Sequence, residues 1–123
     1  MDRFDLTDRV AIITGGGTGI GRGAALVLAE HGADVVLAGR RPEPLESAAE
    51  EVRGLGRRAL VVPSDVTSAE ACQQLIDTTL AQLGRVDILV NNAGGAETKS
   101  LSKWTEDEWL QVLALNLGSV RCV

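Results

Sequence analysis

Short apolar runs at residues 10–14, 34–38, 59–63 and 87–91 punctuate this 123-residue chain. Apart from one residue at an end, three of them are built of Val, Ile, Leu and Ala with no polar alternation. That pattern belongs to strands covered on both faces. Helical periods lie between them. Ile20, Ala24, Val27 and Leu28 form one stripe, closed by Gly32 at the usual C′ position. Leu45, Ala48, Ala49, Val52 and Leu55 form a second, opened by Pro42 and Pro44. Cys72, Leu75, Ile76, Thr79, Leu80 and Leu83 form a third, and Trp109, Val112, Leu113, Asn116, Leu117 and Val120 a fourth. Strict alternation of strand and helix predicts the α/β class, a doubly wound parallel sheet of four β-α units joined by right-handed crossovers. Two capping boxes, Thr67 with Glu70 and Thr105 with Glu108, are expected to start the third and fourth helices.

A glycine-rich run, Thr14-Gly15-Gly16-Gly17-Thr18-Gly19-Ile20-Gly21, joins the first strand directly to the first helix. Such a loop gathers unshielded N–H groups and the positive end of the helix dipole around one point. Side chains there would block a diphosphate, so glycine supplies clearance as well as positive φ. A ligand-free tight turn is the plain alternative, and the surrounding βαβ unit disfavours it.

The end of the second strand discriminates between dinucleotides. An acid there would bind the ribose 2′-OH of NAD. Asp34 lies at the opposite end of the strand, and Gly39 is followed by Arg40 and Arg41. A guanidinium suits a 2′-phosphate, which it grips through charge-assisted hydrogen bonds. The expected cofactor is therefore NADP(H), with NAD(H) second. An acid-held ribose diol, as a Rossmann-like methyltransferase needs, is disfavoured for the same reason.

The spacing Thr-Gly-x-x-x-Gly-x-Gly resembles the fingerprint of the short-chain dehydrogenase/reductase family. Asp65-Val66 after the third strand, Asn91-Asn92-Ala93-Gly94 after the fourth, and Asn116 on the fourth helix extend that resemblance over essentially the whole chain. It implies a Rossmann fold and an oxidoreductase that moves a hydride between a nicotinamide and a carbonyl or alcohol carbon. It assigns Thr14, Gly15, Thr18, Gly19, Ile20 and Gly21 to the cofactor, with Arg40 and Arg41 at its ribose phosphate. Asp65 would accept from the adenine amino group and the backbone N–H of Val66 would donate to the ring. Asn91, Ala93 and Gly94 would run along the riboses while tying strands together. From the residues alone Asp65 could also form an Asx turn ahead of the Thr67 cap, and the resemblance decides in favour of adenine.

Asn116 falls on the stripe expected to face the sheet, where an unpartnered amide would cost about 1–3 kcal/mol. Its task is therefore either a satisfied core amide or, as the resemblance implies, a catalytic role holding a water in a proton relay. The same family uses a Tyr as general acid/base, a Lys that lowers its pKa and a Ser that orients the substrate oxygen. This chain contains no Tyr, and Lys99 and Lys103 match no such motif. It reads as the cofactor-binding portion of a longer enzyme, inactive alone, with strand 87–91 left as an unpaired apolar edge. The glycine loop with Arg22 looks like dienoyl-CoA reductases, whereas Asn92-Ala93-Gly94 looks like 3-oxoacyl-carrier-protein reductases and alcohol dehydrogenases. A non-catalytic NADP(H) sensor is the competing reading.

A net charge of −5 argues against nucleic-acid and anionic-membrane partners. Cys72 and Cys122, with His31 as the only histidine, are too few for a zinc site and read as core thiols. The acidic N-terminus is unlike a signal peptide, and no apolar run is long enough to span a bilayer. Those features point to a cytoplasmic protein with a small-molecule substrate. The resemblance adds assembly as a homo-oligomer through the fourth and fifth helices.

Overall fold

A computed structural model describes residues 3–94, 103 and 105–118. Its elements alternate as expected: β1 (Val10–Thr14), α1 (Gly19–Glu30), β2 (Asp34–Gly39), α2 (Pro42–Gly54), β3 (Ala59–Pro63), α3 (Ala69–Leu83), β4 (Ile88–Val90) and α4 (Glu106–Leu113). A π-helical turn, Ala114–Gly118, continues α4. The strands form one parallel sheet in the order β3-β2-β1-β4. Among the described residues β4 is therefore an edge, paired only with β1, and Leu89 is 39% exposed. The Asn91 segment consequently follows an edge strand, as the sequence leads one to expect.

The apolar runs divide their side chains between two layers, as the two-residue strand period requires. Ala11, Ile13, Val35 and Leu37 pack with Ala25, Ala29 and the α2 stripe. Val10, Ile12, Val36 and Ala38 pack with Leu75 of α3. Both faces of β1 and β2 are thus dry, and each fully buried Ile or Leu contributes about 2–3 kcal/mol.

Helix α1 departs from the expected stripe. Its buried face is Gly21, Ala25 and Ala29, while Ile20 is 84% and Val27 51% exposed. The helix is apolar nearly all round, so periodicity could not choose its inner face. Close packing selects the smallest side chains. Helix α2 buries Leu45, Ala48, Ala49 and Val52 as expected, with Leu55 exposed beyond its end.

Helix α3 buries Cys72, Leu75 and Thr79, but its N-cap is Ser68 rather than Thr67. Ser68 Oγ accepts from Ala71 N at 3.3 Å, whereas the Thr67 hydroxyl lies one residue outside the helix start and donates to Asp65 Oδ1 at 2.6 Å. Thr105 caps α4 as expected, accepting from Glu108 N at 3.1 Å. None of the α4 residues is buried, so its expected core-facing stripe is not covered among the described residues. Cys122 and Val120 lie outside those residues.

Two carboxylates pin the N-terminal ends of the strands. Asp34, 2% exposed, accepts from Arg58 N at 3.0 Å and Arg58 Nε at 2.9 Å, and pairs with Arg57 at 3.0 Å. Burial alone would raise its pKa, but the Arg58 hydrogen bonds and the two guanidinium charges outweigh burial and hold it below the usual carboxylate range. Asp87 accepts from Val10 N at 2.9 Å and from Arg85 Nε at 2.8 Å.

A depressed folded pKa gives stability that is present above the unfolded value, near 4, and lost as pH falls through the folded value. Asp34→Asn is therefore expected to lower stability by about 2 kcal/mol at neutral pH. Urea denaturation across a pH series should show that deficit narrowing below about pH 4.

Candidate functional site

The carboxyl ends of the strands enclose a cleft of about 210 Å³, lined by the glycine loop, the β2–α2 turn, the residues after β3 and the turn after β4. A ligand crevice at this edge is the rule in open α/β sheets. Gly15, Thr18, Arg40, Arg41, Val66, Ala93 and Gly94, all expected at the site, line it.

The glycine loop is shaped by a close approach. A β-carbon on Gly21 would overlap the Gly15 carbonyl oxygen and lie 2.5 Å from Asn92 Nδ2. Gly19 adopts φ +56 in open space, so its requirement is conformational rather than steric. Thr18 is the N-cap of α1, yet its side chain caps nothing and no acid stands in the first turn. The helix therefore presents N–H donors and its positive dipole end to the cleft without a competing anion of its own. That donor set fits a diphosphate. Ile20 points to solvent and does not line the cleft.

Thr14 is 1% exposed and its hydroxyl is a structural node. It accepts from Asn92 N and Ala93 N, each at 3.0 Å, and donates to Val90 O at 3.4 Å. Asn92 Nδ2 donates to Gly15 O at 3.1 Å. The chain after β4 is thus clamped to the end of β1. Asn91 is exposed and outside the cleft lining, and the neighbouring Asn92 makes these bonds.

Arg40 and Asp65 meet each other. Arg40 Nη2 lies 3.2 Å from Asp65 Oδ1, with both side chains about half exposed. The same oxygen accepts from Thr67 N at 3.0 Å, so the Asx-turn reading holds. Hydrogen bonds from the Thr67 side chain and backbone, with the Arg40 guanidinium, keep the Asp65 carboxyl below the ordinary carboxylate range. Arg22, beside the loop, is spent on α2, where it pairs with Glu51 and reaches Ser47 Oγ at 3.4 Å. Ser64 was not anticipated. It lines the cleft, is 8% exposed, and its Oγ is buried without a hydrogen-bond partner. A serine ending an apolar strand gave no signal of that placement.

Asn116 corrects the expectation of a buried amide. It is exposed, and its Nδ2 donates to Val112 O at 2.9 Å. It nevertheless stands at the site, since a β-carbon on Gly94 would lie 2.6 Å from Asn116 Oδ1. The amide meets its needs along its own helix, so exposure leaves no polar group orphaned. Among the described residues no group of three or more His, Cys, Asp or Glu could hold a metal ion, and no helix is long and apolar enough to cross a membrane.

Together the parallel sheet, the clamped glycine loop and the cleft at the carboxyl ends of the strands form an open α/β crevice whose N–H donors suit an anionic ligand. Residues 9–123 match the short chain dehydrogenase family model, and the chain belongs to that family. It is 38% identical over its full length to an uncharacterized oxidoreductase of Mycobacterium tuberculosis, of which it covers 47%. It is 39% identical over 98% of its length to the 2-dehydro-3-deoxy-D-gluconate 5-dehydrogenase of Escherichia coli, again covering 47% of that protein. Among solved structures, a short-chain type dehydrogenase/reductase from Mycobacterium marinum superposes with a TM-score of 0.93 at 35% identity, covering 97% of this chain and 48% of the other. NAD+-bound xylitol dehydrogenase superposes with a TM-score of 0.91 at 34% identity, covering 96% of this chain and 46% of the other. The chain thus spans about half the length of the relatives it matches.

Removing the Thr14 hydroxyl strands two backbone donors. Thr14→Val is expected to cost about 2 kcal/mol in chemical denaturation. Hydrogen exchange should report faster exchange at the Asn92 and Ala93 amides, with β2 and β3 unchanged.

Proposed function

We propose that this chain is the cofactor-binding part of an NADP(H)-dependent short-chain dehydrogenase/reductase, and that the intact enzyme transfers hydride to or from a carbonyl or alcohol carbon of a small substrate. The observation that carries the cofactor choice is the composition of the cleft at the end of β2. Gly39, Arg40 and Arg41 line it, and β2 offers no acid at this end. Asp34, the acid of β2, is engaged with Arg57 and Arg58 at the far end of the strand.

The residues divide the work by position. The N–H groups from Gly15 to Gly21 bind the diphosphate, Arg40 and Arg41 hold the 2′-phosphate, and Asp65 with the Val66 backbone faces the adenine. Ala93 and Gly94 border the nicotinamide end, beside Asn116, whose amide would hold a water for proton transfer. Thr14 acts by tying strands, with Asn92 in place of the expected Asn91, and Ile20 only by flanking the loop. Bound NADP(H) supplies or accepts the hydride. The proton-donating Tyr and its Lys belong to the remainder of the protein, because no Tyr occurs among the 123 residues. The chain alone is therefore inactive in carbonyl reduction. The family resemblance supports assembly of the intact protein as a homo-oligomer.

Titration of the intact protein with NADPH and NADH tests the cofactor assignment, with NADPH expected to bind more tightly. A charge-assisted hydrogen bond contributes about 1.5–3 kcal/mol. Arg40→Ala should therefore weaken NADPH by about tenfold to a hundredfold while leaving NADH nearly unchanged. Unaltered NADPH affinity in that variant would refute the assignment.

A further inference from the structure

The Arg40–Asp65 contact follows from the sheet register. Gly39 and Pro63 are partners at the ends of β2 and β3, and Ser64 N donates to Gly39 O at 2.7 Å. Residues leaving the two strands therefore emerge side by side, which brings the guanidinium and the carboxylate together at the mouth of the cleft. Asp65 Oδ1 carries three donors, Arg40 Nη2, Thr67 N and Thr67 Oγ1, and Thr67 fixes the carboxylate in place independently of Arg40.

We infer that Asp65 is a specificity-determining residue that limits the preference for NADP(H) by competing with the cofactor's 2′-phosphate for the Arg40 guanidinium. The inference rests on the proposed role of Arg40. A carboxylate and a phosphate seek the same planar fork of N–H donors. Here the carboxylate is anchored by a turn and already holds one arm of that fork. Binding NADPH must loosen or share this pair, and it brings further negative charge towards a fixed anion. NADH meets neither obstacle, since its 2′-hydroxyl is neutral and needs no guanidinium. Arg40 thus creates the preference and Asp65 moderates it, leaving a site that discriminates by less than its arginines alone would give.

Asp65→Asn in the intact protein isolates this effect. The amide oxygen of Asn still accepts from Thr67 N and Oγ1, so the turn survives while the negative charge is removed. Any contact of residue 65 with adenine is common to both cofactors and cancels in the ratio of their dissociation constants. The NADH-to-NADPH Kd ratio should rise about twofold to fivefold, the release of one exposed ion pair. In an Arg40→Ala background the same substitution should raise the ratio by less, since only the direct repulsion between Asp65 and the phosphate remains. An unchanged or lower ratio in Asp65→Asn overturns the inference, as does an equal rise without Arg40. The 2′-phosphate reading fails separately, if Arg40→Ala alone leaves NADPH affinity intact.

Discussion

The close contact of Gly21 with Gly15 and Asn92 sets the geometry of the site. With no β-carbon at Gly21, the first turn of α1 can rest directly on the Gly15 carbonyl, which also accepts from Asn92 Nδ2. That single junction joins β1, α1 and the turn after β4. The Thr14 hydroxyl reinforces it from the interior by holding two successive N–H groups of the same turn. The helix N-terminus is therefore aimed at the cleft by contacts within the chain itself.

Charge is distributed along the sheet with the same economy. At the N-terminal ends of the strands, Asp34 and Asp87 accept from backbone N–H groups and pair with arginines, and this end of the molecule is internally neutralised. At the C-terminal ends the glycine loop offers donors with no acid in the first turn of α1. Asp65, a carboxylate near the mouth of the cleft, is held by Thr67 and Arg40. An acidic chain can thus present a locally electropositive crevice, because net charge and the field at one strand edge are separate quantities.

The strands were legible to within one residue at their ends, because uninterrupted Val, Ile and Leu runs leave few other ways to bury both faces. Helix α2 was equally plain, its apolar stripe standing out among glutamates. Helix α1 was not, since residues 24–29 are all apolar and only the shape of the sheet selects Ala25 and Ala29. The α3 cap failed for a different reason. Thr67 and Ser68 are adjacent hydroxyls, and the first lies one residue outside the helix start, which leaves the second to cap. The glycine loop and the absence of an acid after β2 could be read from spacing alone. The Arg40–Asp65 pair and the hidden Ser64 hydroxyl could not, because both depend on the register of β2 against β3. Asn116 was not legible either: its stripe was expected to face the sheet, whereas the amide is exposed and bonded to its own helix.

The most direct measurement is a crystal structure of the intact protein with a bound nicotinamide dinucleotide. Diphosphate oxygens are expected within hydrogen-bonding distance of backbone N–H groups between Gly15 and Gly21, at the start of α1. A dinucleotide seated elsewhere, or a diphosphate held by side chains with those amides turned away, would contradict this expectation.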